Sequence, residues 1–131
     1  MPEGNVERFQ RLRPGIRTLR RELLADDAEW INPNDAVEPG NRRGAEAFLQ
    51  AIASVFEGWE ESVFDIERVL ESGDDVIALG DLRTRGRTGL EAASPHGEIW
   101  SFRDGKVTRM QWFRTHAETI AAAKWTRSNL G

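Results

Sequence analysis

The apolar period of this chain changes once, near residue 62, and that change limits what it can fold into. Before it, apolar residues recur at helical spacing. Val6, Phe9 and Leu12 form one stripe, and after Pro14-Gly15 a second runs through Ile16, Leu19, Leu23 and Leu24. The pattern predicts two helices, with Pro14 in the first turn of the second, where a missing N–H is harmless. A third helix is expected from about Arg43 to Glu57, with Phe48, Ile52, Val55 and Phe56 on its core face. Between them Ala28 to Asn32 reads as a short strand. It is stopped by Asn32-Pro33-Asn34-Asp35, and Glu38-Pro39-Gly40-Asn41 makes a second turn.

Beyond the change the period is two. Strands are expected over Ser62–Glu71, Val76–Arg85, Leu90–Arg103 and Val107–Arg114. Ser72-Gly73-Asp74-Asp75 turns the first pair, and Gly86 to Gly89 connects the next. Asp104-Gly105 accepts the positive φ of a tight primed hairpin turn. Ser94-Pro95 predicts a bulge in the third long strand. Thr115-His116-Ala117-Glu118 has capping-box spacing and opens a final helix into Ala121-Ala122-Ala123. The whole is an α+β plan, with helices packed on one face of a curved, mainly antiparallel sheet: a cone-shaped roll. At 131 residues it is one domain. We expect a core over about residues 5–123 and a tail over 124–131, with no repeat or linker to divide them.

Composition removes several chemistries. Zero Cys excludes thiolate nucleophiles, disulfides and cysteine metal sites, and two His argue against a His-rich zinc centre. Zero Tyr excludes a phenol donor. No metal and no cofactor is expected. The net charge of −4 counts against a nucleic-acid partner. Arg8, Arg11, Arg13, Arg17, Arg20 and Arg21 do cluster, as do Arg83, Arg85 and Arg87. Glu7 and Glu22 interleave with the first group and Asp26 and Asp27 flank it, which suits a solvated, ion-paired face. No apolar run approaches the roughly 18 residues of a membrane span. Met1 to Asn5 lacks the pattern of a signal peptide, so a cytoplasmic location without membrane contact is expected.

Several motifs stand together in order. Ala25-Asp26-Asp27-Ala28-Glu29-Trp30 enters a strand ending Asn32-Pro33. Pro39-Gly40 and Arg43-Gly44 precede a helix, and Ile99-Trp100-Ser101-Phe102-Arg103-Asp104-Gly105-Lys106-Val107 makes strand, hairpin and strand. Over about residues 5–123 this resembles the SnoaL-like group of the cystatin-like, nuclear-transport-factor-2-like cone fold. Ketosteroid isomerases, polyketide cyclases and limonene epoxide hydrolases share that fold. The resemblance implies a homodimer with an apolar pocket inside the cone that takes a small apolar organic molecule. It does not fix an activity, because one fold hosts many.

The pocket residues are expected from strand alternation. Glu98, Trp100 and Phe102 share one face, as do Met110, Trp112 and Arg114. Val76, Ala78, Gly80 and Leu82 are expected inward, and Asp81 and Arg83 outward in cross-strand charge pairs. A Glu98 carboxyl among tryptophans would have its pKa raised by desolvation and serve as acid or base. Alternatively it lies exposed, or at the pocket mouth paired with an Arg. The resemblance implies an acidic residue at this strand position in isomerases and cyclases. It also aligns Asn32 with the isomerase base, where an amide can orient a carbonyl or water but not take a proton. Alternatively Asn32 braces the turn before Pro33. The isomerase phenol is missing, since Arg8 or Phe9 stands nearby, and so is the hydrolase Arg–Asp pair.

Arg114 either pairs with Glu98 or a ligand anion, or lies at a dimer seam. His96 is an acid–base partner or a loop-side histidine, and His116 a helix-start residue. Trp30, Trp59, Trp100 and Trp112, with Phe56, Phe102 and Met110, are the expected lining, while Trp125 packs the tail or a dimer contact. The leading reading is cofactor-free isomerisation or cyclisation using Glu98, Asn32 and His96. The rival is a non-catalytic ligand-binding or dimeric interaction module, and an epoxide hydrolase ranks behind both.

Overall fold

In the computed structural model residues 4–34, 36 and 40–130 are described, with side chains through Ala123. Pro39 and the side chain of Trp125 therefore lie outside the described residues. The first helix, α1 (Asn5–Leu12), buries Phe9 and Leu12 as its stripe requires. The expected second helix is instead two 3-10 turns, Arg13–Thr18 and Arg21–Leu23. Pro14 interrupts the N–H ladder, Gly15 leaves helical geometry (φ −98°, ψ 27°), and Leu19 is extended at ψ 131°. Leu24 then opens a strand, β1 (Leu24–Asn32), longer than Ala28 to Asn32.

A short strand, β2 (Gly40–Arg43), pairs antiparallel with β1 from Glu29↔Arg43 to Asn32↔Gly40. Its four residues carry no apolar alternation, so the sequence reads there as a turn. The helix α2 (Ala45–Phe56) follows as expected. Four long strands come next: β3 (Trp59–Ser72), β4 (Asp75–Gly86), β5 (Glu91–Arg103) and β6 (Lys106–Phe113). The final helix is α3 (His116–Leu130). No described helix is long and apolar enough to cross a membrane.

The six strands form one sheet in the order β2-β1-β6-β5-β4-β3. Neighbours are antiparallel except β1 and β6, which run parallel. Asp104 (φ 54°) and Gly105 (φ 80°) make the tight turn between β5 and β6. The bulge expected at Ser94-Pro95 is absent: β4 and β5 keep one register from Asp75↔Ser101 to Arg85↔Glu91. Proline fits because β6 pairs with β5 only from Gly97 onward, so at Pro95 that side of β5 needs no donor. The irregularities fall between Leu24 and Glu29 in β1, at Trp59/Glu61 and Ile66/Arg68 in β3, and opposite Ser101/Phe102, where Thr108 of β6 is the extra residue.

The α2 helix touches β1 and β2 at one edge of the sheet and β3 at the other. Only a sheet curled around the helix allows both contacts. The core inside the curl joins Phe9, Ile16, Trp30, Phe48, Ile52, Val76, Ala78, Trp100 and Met110. The inward set on β4 is thus as expected. Outside it, Arg83 pairs with Asp65 at 2.8 Å and Arg85 with Glu61 at 3.2 Å.

Helices do not all pack on one face, however. A second core of Ile77, Leu79, Ile99 and Phe113 lies on the other side of the sheet, against Ile120 and Ala123 of α3. The pattern Val76-Ile77-Ala78-Leu79 carries this, since a strand apolar at every position is covered on both faces. Gly97 permits the close approach: a Cβ there would lie 2.0 Å from Thr119 Oγ1. Thr115 caps α3 at the expected place: its hydroxyl accepts the Glu118 N–H at 3.1 Å and donates to the Glu118 carboxylate at 2.8 Å, where a capping box would have that carboxylate accept the Thr115 N–H. His116 caps nothing; its Nε2 meets the Gly80 carbonyl at 2.7 Å and ties α3 to β4.

Candidate functional site

Inside the curl lies a cavity of about 50 Å³, room for roughly three to five waters. The 3-10 turn supplies Arg13 and Ile16, α2 supplies Val55 and Phe56, and β1 supplies Trp30. Trp59 and Ser62 come from β3, Leu82 and Thr84 from β4, His96 and Glu98 from β5, and Met110 and Trp112 from β6. Strand alternation explains the set: His96, Glu98, Met110, Trp112 and Leu82 are all inward positions.

Glu98 is 3% exposed and takes four bonds on two oxygens. Arg13 Nε donates to Oε1 and Nη2 to Oε2, both at 2.8 Å. Trp100 Nε1 donates to Oε1 at 2.8 Å, and His96 Nε2 lies 2.7 Å from Oε2. Burial by itself would raise the carboxyl pKa. The Arg13 charge, helped by hydrogen bonds from His96 and Arg13, overcomes it and holds the group well below the usual carboxylate range. The expectation of a raised pKa is therefore corrected. Glu98 is a fixed anion, with no proton to give at neutral pH.

Arg13 is a residue of this cavity that sequence reading missed. It is 8% exposed and stacks over the Phe64 ring at 5.2 Å. The signal was its place between Leu12 and Ile16 on an apolar stripe, concealed by five neighbouring arginines.

His96 is 6% exposed and sits between Phe64, edge-on at 4.9 Å, and Trp112 at 5.6 Å. With no bulge at Pro95 it shares the Glu98 face, which excludes the loop-side alternative. Its Nε2 is engaged by Glu98, and Nδ1 has no protein partner among the described residues. Since no buried side-chain nitrogen is left unsatisfied there, Nδ1 reaches the open cavity that His96 lines.

Asn32 does not line the Glu98 cavity but joins two of its walls. Its Oδ1 accepts the indole N–H of Trp30 at 2.7 Å and of Trp112 at 2.8 Å. The amide pins two cavity walls and stands behind them, outside the cavity lining. Trp100 and Phe102 also drop from the expected lining. Both are packed in the core, and Trp100, fully buried, turns its N–H to Glu98. Arg114 follows the end of β6, where its guanidinium lies over the Trp112 ring at 5.3 Å. It lines a separate groove of about 350 Å³ with Asn32 and Glu118, not the Glu98 cavity. Phe56, Trp59, Trp30, Trp112 and Met110 line the cavity. Among the described residues no three His, Asp or Glu side chains gather to hold a metal ion.

Residues 6–110 match the family described as SnoaL-like domain. No protein of curated function matches the chain. Solved structures share the fold. A proposed SnoaL-like polyketide cyclase from a Jannaschia species is 22% identical with a TM-score of 0.72, over 91% of this chain and 90% of that one. TerC, crystallised with polyporic acid, is 22% identical at 0.70, over 92% and 98%. A hypothetical protein with a ketosteroid isomerase-like fold from Catenulispora acidiphila, in complex with trimethylamine, is 16% identical at 0.68, over 95% of both chains. Identities this low carry the fold and not the activity.

Proposed function

The chain belongs to the SnoaL-like domain family, and from that premise we propose that its cavity binds a small apolar molecule and moves a proton on it through His96. The observation that supports this is the 2.7 Å contact of His96 with an ionised, immobile Glu98 in a tryptophan-lined cavity. An imidazole that turns Nε2–H to a carboxylate presents the Nδ1 lone pair on its other side. The carboxylate fixes the tautomer and stabilises the imidazolium formed when Nδ1 takes a proton. Glu98 is then a positioning residue, and Arg13 keeps it charged. Asn32 positions Trp30 and Trp112. Nothing larger than a few waters fits the cavity as it stands, so uptake moves the side chains at its rim, Phe56 and the 38%-exposed Trp59.

The test is a base-catalysed elimination. In 5-nitrobenzisoxazole a base removes the ring C–H, the N–O bond breaks, and a coloured cyanonitrophenolate forms. The expected result is saturable turnover together with quenching of indole fluorescence. Quenching without turnover would support the rival reading, a ligand-binding module.

A homodimer is proposed as well. The outward face of β3 to β5 beyond α3 carries Val63, 48% exposed, and, across Arg83 and Asp81 of β4, exposed Ala93 and Pro95. A face where small apolar residues alternate with the Arg83–Asp65 and Arg85–Glu61 pairs suits a second copy of the chain, which can meet both kinds of group with the same residues. Sedimentation velocity at micromolar concentration is expected to give a dimer that Val63→Glu converts to monomer; a monomeric parent protein would sink the idea.

A further inference from the structure

We propose that the ligand of this cavity is an elongated molecule with an apolar tail and a carboxylate head, the head being held at the rim by Arg17, Ser62 and Thr84. This rests on the reading of the cavity as a small-molecule site and goes beyond it in naming the ligand class.

Three observations converge on the rim. Ser62 and Thr84 lie opposite each other in the β3–β4 register, and both line the cavity. Neither hydroxyl has a hydrogen-bond partner among the described residues. Both are half-buried, so a ligand oxygen would replace only loosely held water.

Arg17 is the second. Its Nη2 donates to the Trp59 carbonyl at 3.0 Å, and its guanidinium lies 4.9 Å over the Phe56 ring. Phe56 and Trp59 both line the cavity. No carboxylate of the described residues lies within ion-pair distance of Arg17, whereas Arg13, Arg20, Arg21, Arg83, Arg85 and Arg103 each have one. One donor of the fork is used and the others remain for an anion.

The third is the interior. Away from the rim the walls are Ile16, Trp30, Val55, Leu82, Met110 and Trp112. The charges of Arg13 and Glu98 satisfy each other, so a head group gains nothing by going deep. Thr84 stands four residues along β4 from Gly80, the partner of His96, a distance of about 13 Å. A ligand bonded at the rim can therefore lay its tail towards the imidazole. Its head is best anionic, because the unmatched rim charge is positive.

The experiment compares octanoate, octanol and octylamine, which share one tail, by indole fluorescence and calorimetry. Octanoate is expected to bind about tenfold tighter than octanol, with octylamine weakest. That preference should shrink as salt is raised. Arg17→Gln should abolish it at an unchanged melting temperature, since Arg17 is exposed. Thr84→Val should weaken octanoate more than octanol, and Arg20→Gln, at another exposed arginine, should leave the preference intact. Octanol and octylamine binding as tightly as octanoate would overturn the carboxylate head while leaving the cavity as a ligand site. Binding of none of the three would overturn both.

Discussion

Arg13→Met is expected to cost about 3–5 kcal/mol of stability at neutral pH, with a fall in Tm of roughly 10–20 °C. The cause is what remains. Glu98 keeps bonds to Trp100 and His96 but loses two charge-assisted bonds of 2.8 Å and the charge that made its burial tolerable. Arg13→Met/Glu98→Leu should recover most of the loss, because an apolar pair of similar volume leaves no buried charge behind. The pH dependence carries a sign. The folded carboxyl lies below its unfolded pKa of about 4.3. Its contribution is therefore fully present above that value and is lost as pH falls through the lower, folded pKa. In Arg13→Met the Arg13 charge no longer offsets burial, which then favours the neutral acid against only the His96 and Trp100 contacts, so the gap between parent and variant should narrow on acidification. Chemical denaturation over a pH series reads both results. A cost within about 0.5 kcal/mol, as at an ordinary surface site, would mean that the pair is not buried in solution.

His96→Gln is expected to lower turnover of 5-nitrobenzisoxazole by about 10²–10⁴-fold, the usual worth of a positioned base. Glutamine can still donate an amide N–H towards Glu98, where histidine places Nε2, but it offers the cavity no basic lone pair. Turnover and stability should therefore separate, with kcat falling and indole quenching by the probe retained. If His96 were only a core residue, stability would fall and any turnover would persist.

The four long strands were legible, the first of them from Ser62 although it begins at Trp59, because apolar alternation is imposed directly by a half-buried sheet. The 3-10 turns were not, because an i, i+3 stripe serves a 3-10 turn as well as an α-helix. The second core was written in the unbroken apolar run Val76 to Leu79, yet a four-residue run does not say which element covers its outer face. The cavity was legible where it rests on strand parity: Met110, Trp112, His96 and Glu98 all face it. What failed was the environment of Glu98. Parity places a side chain on a face, but the charge opposite it came from Arg13, 85 positions away on an irregular turn. Asn32 is similar, since its two indole partners meet only when β1 and β6 pair.

The central claim is that Glu98 is a fixed anion behind His96. Carbon-13 NMR of the Glu98 side-chain carboxyl tests it most directly, followed from neutral pH down through the ordinary carboxylate range near about pH 4. The account predicts a resonance that stays at its ionised position while exposed glutamates titrate, and that moves only in stronger acid. A Glu98 signal titrating with the exposed glutamates, or above them, would contradict it.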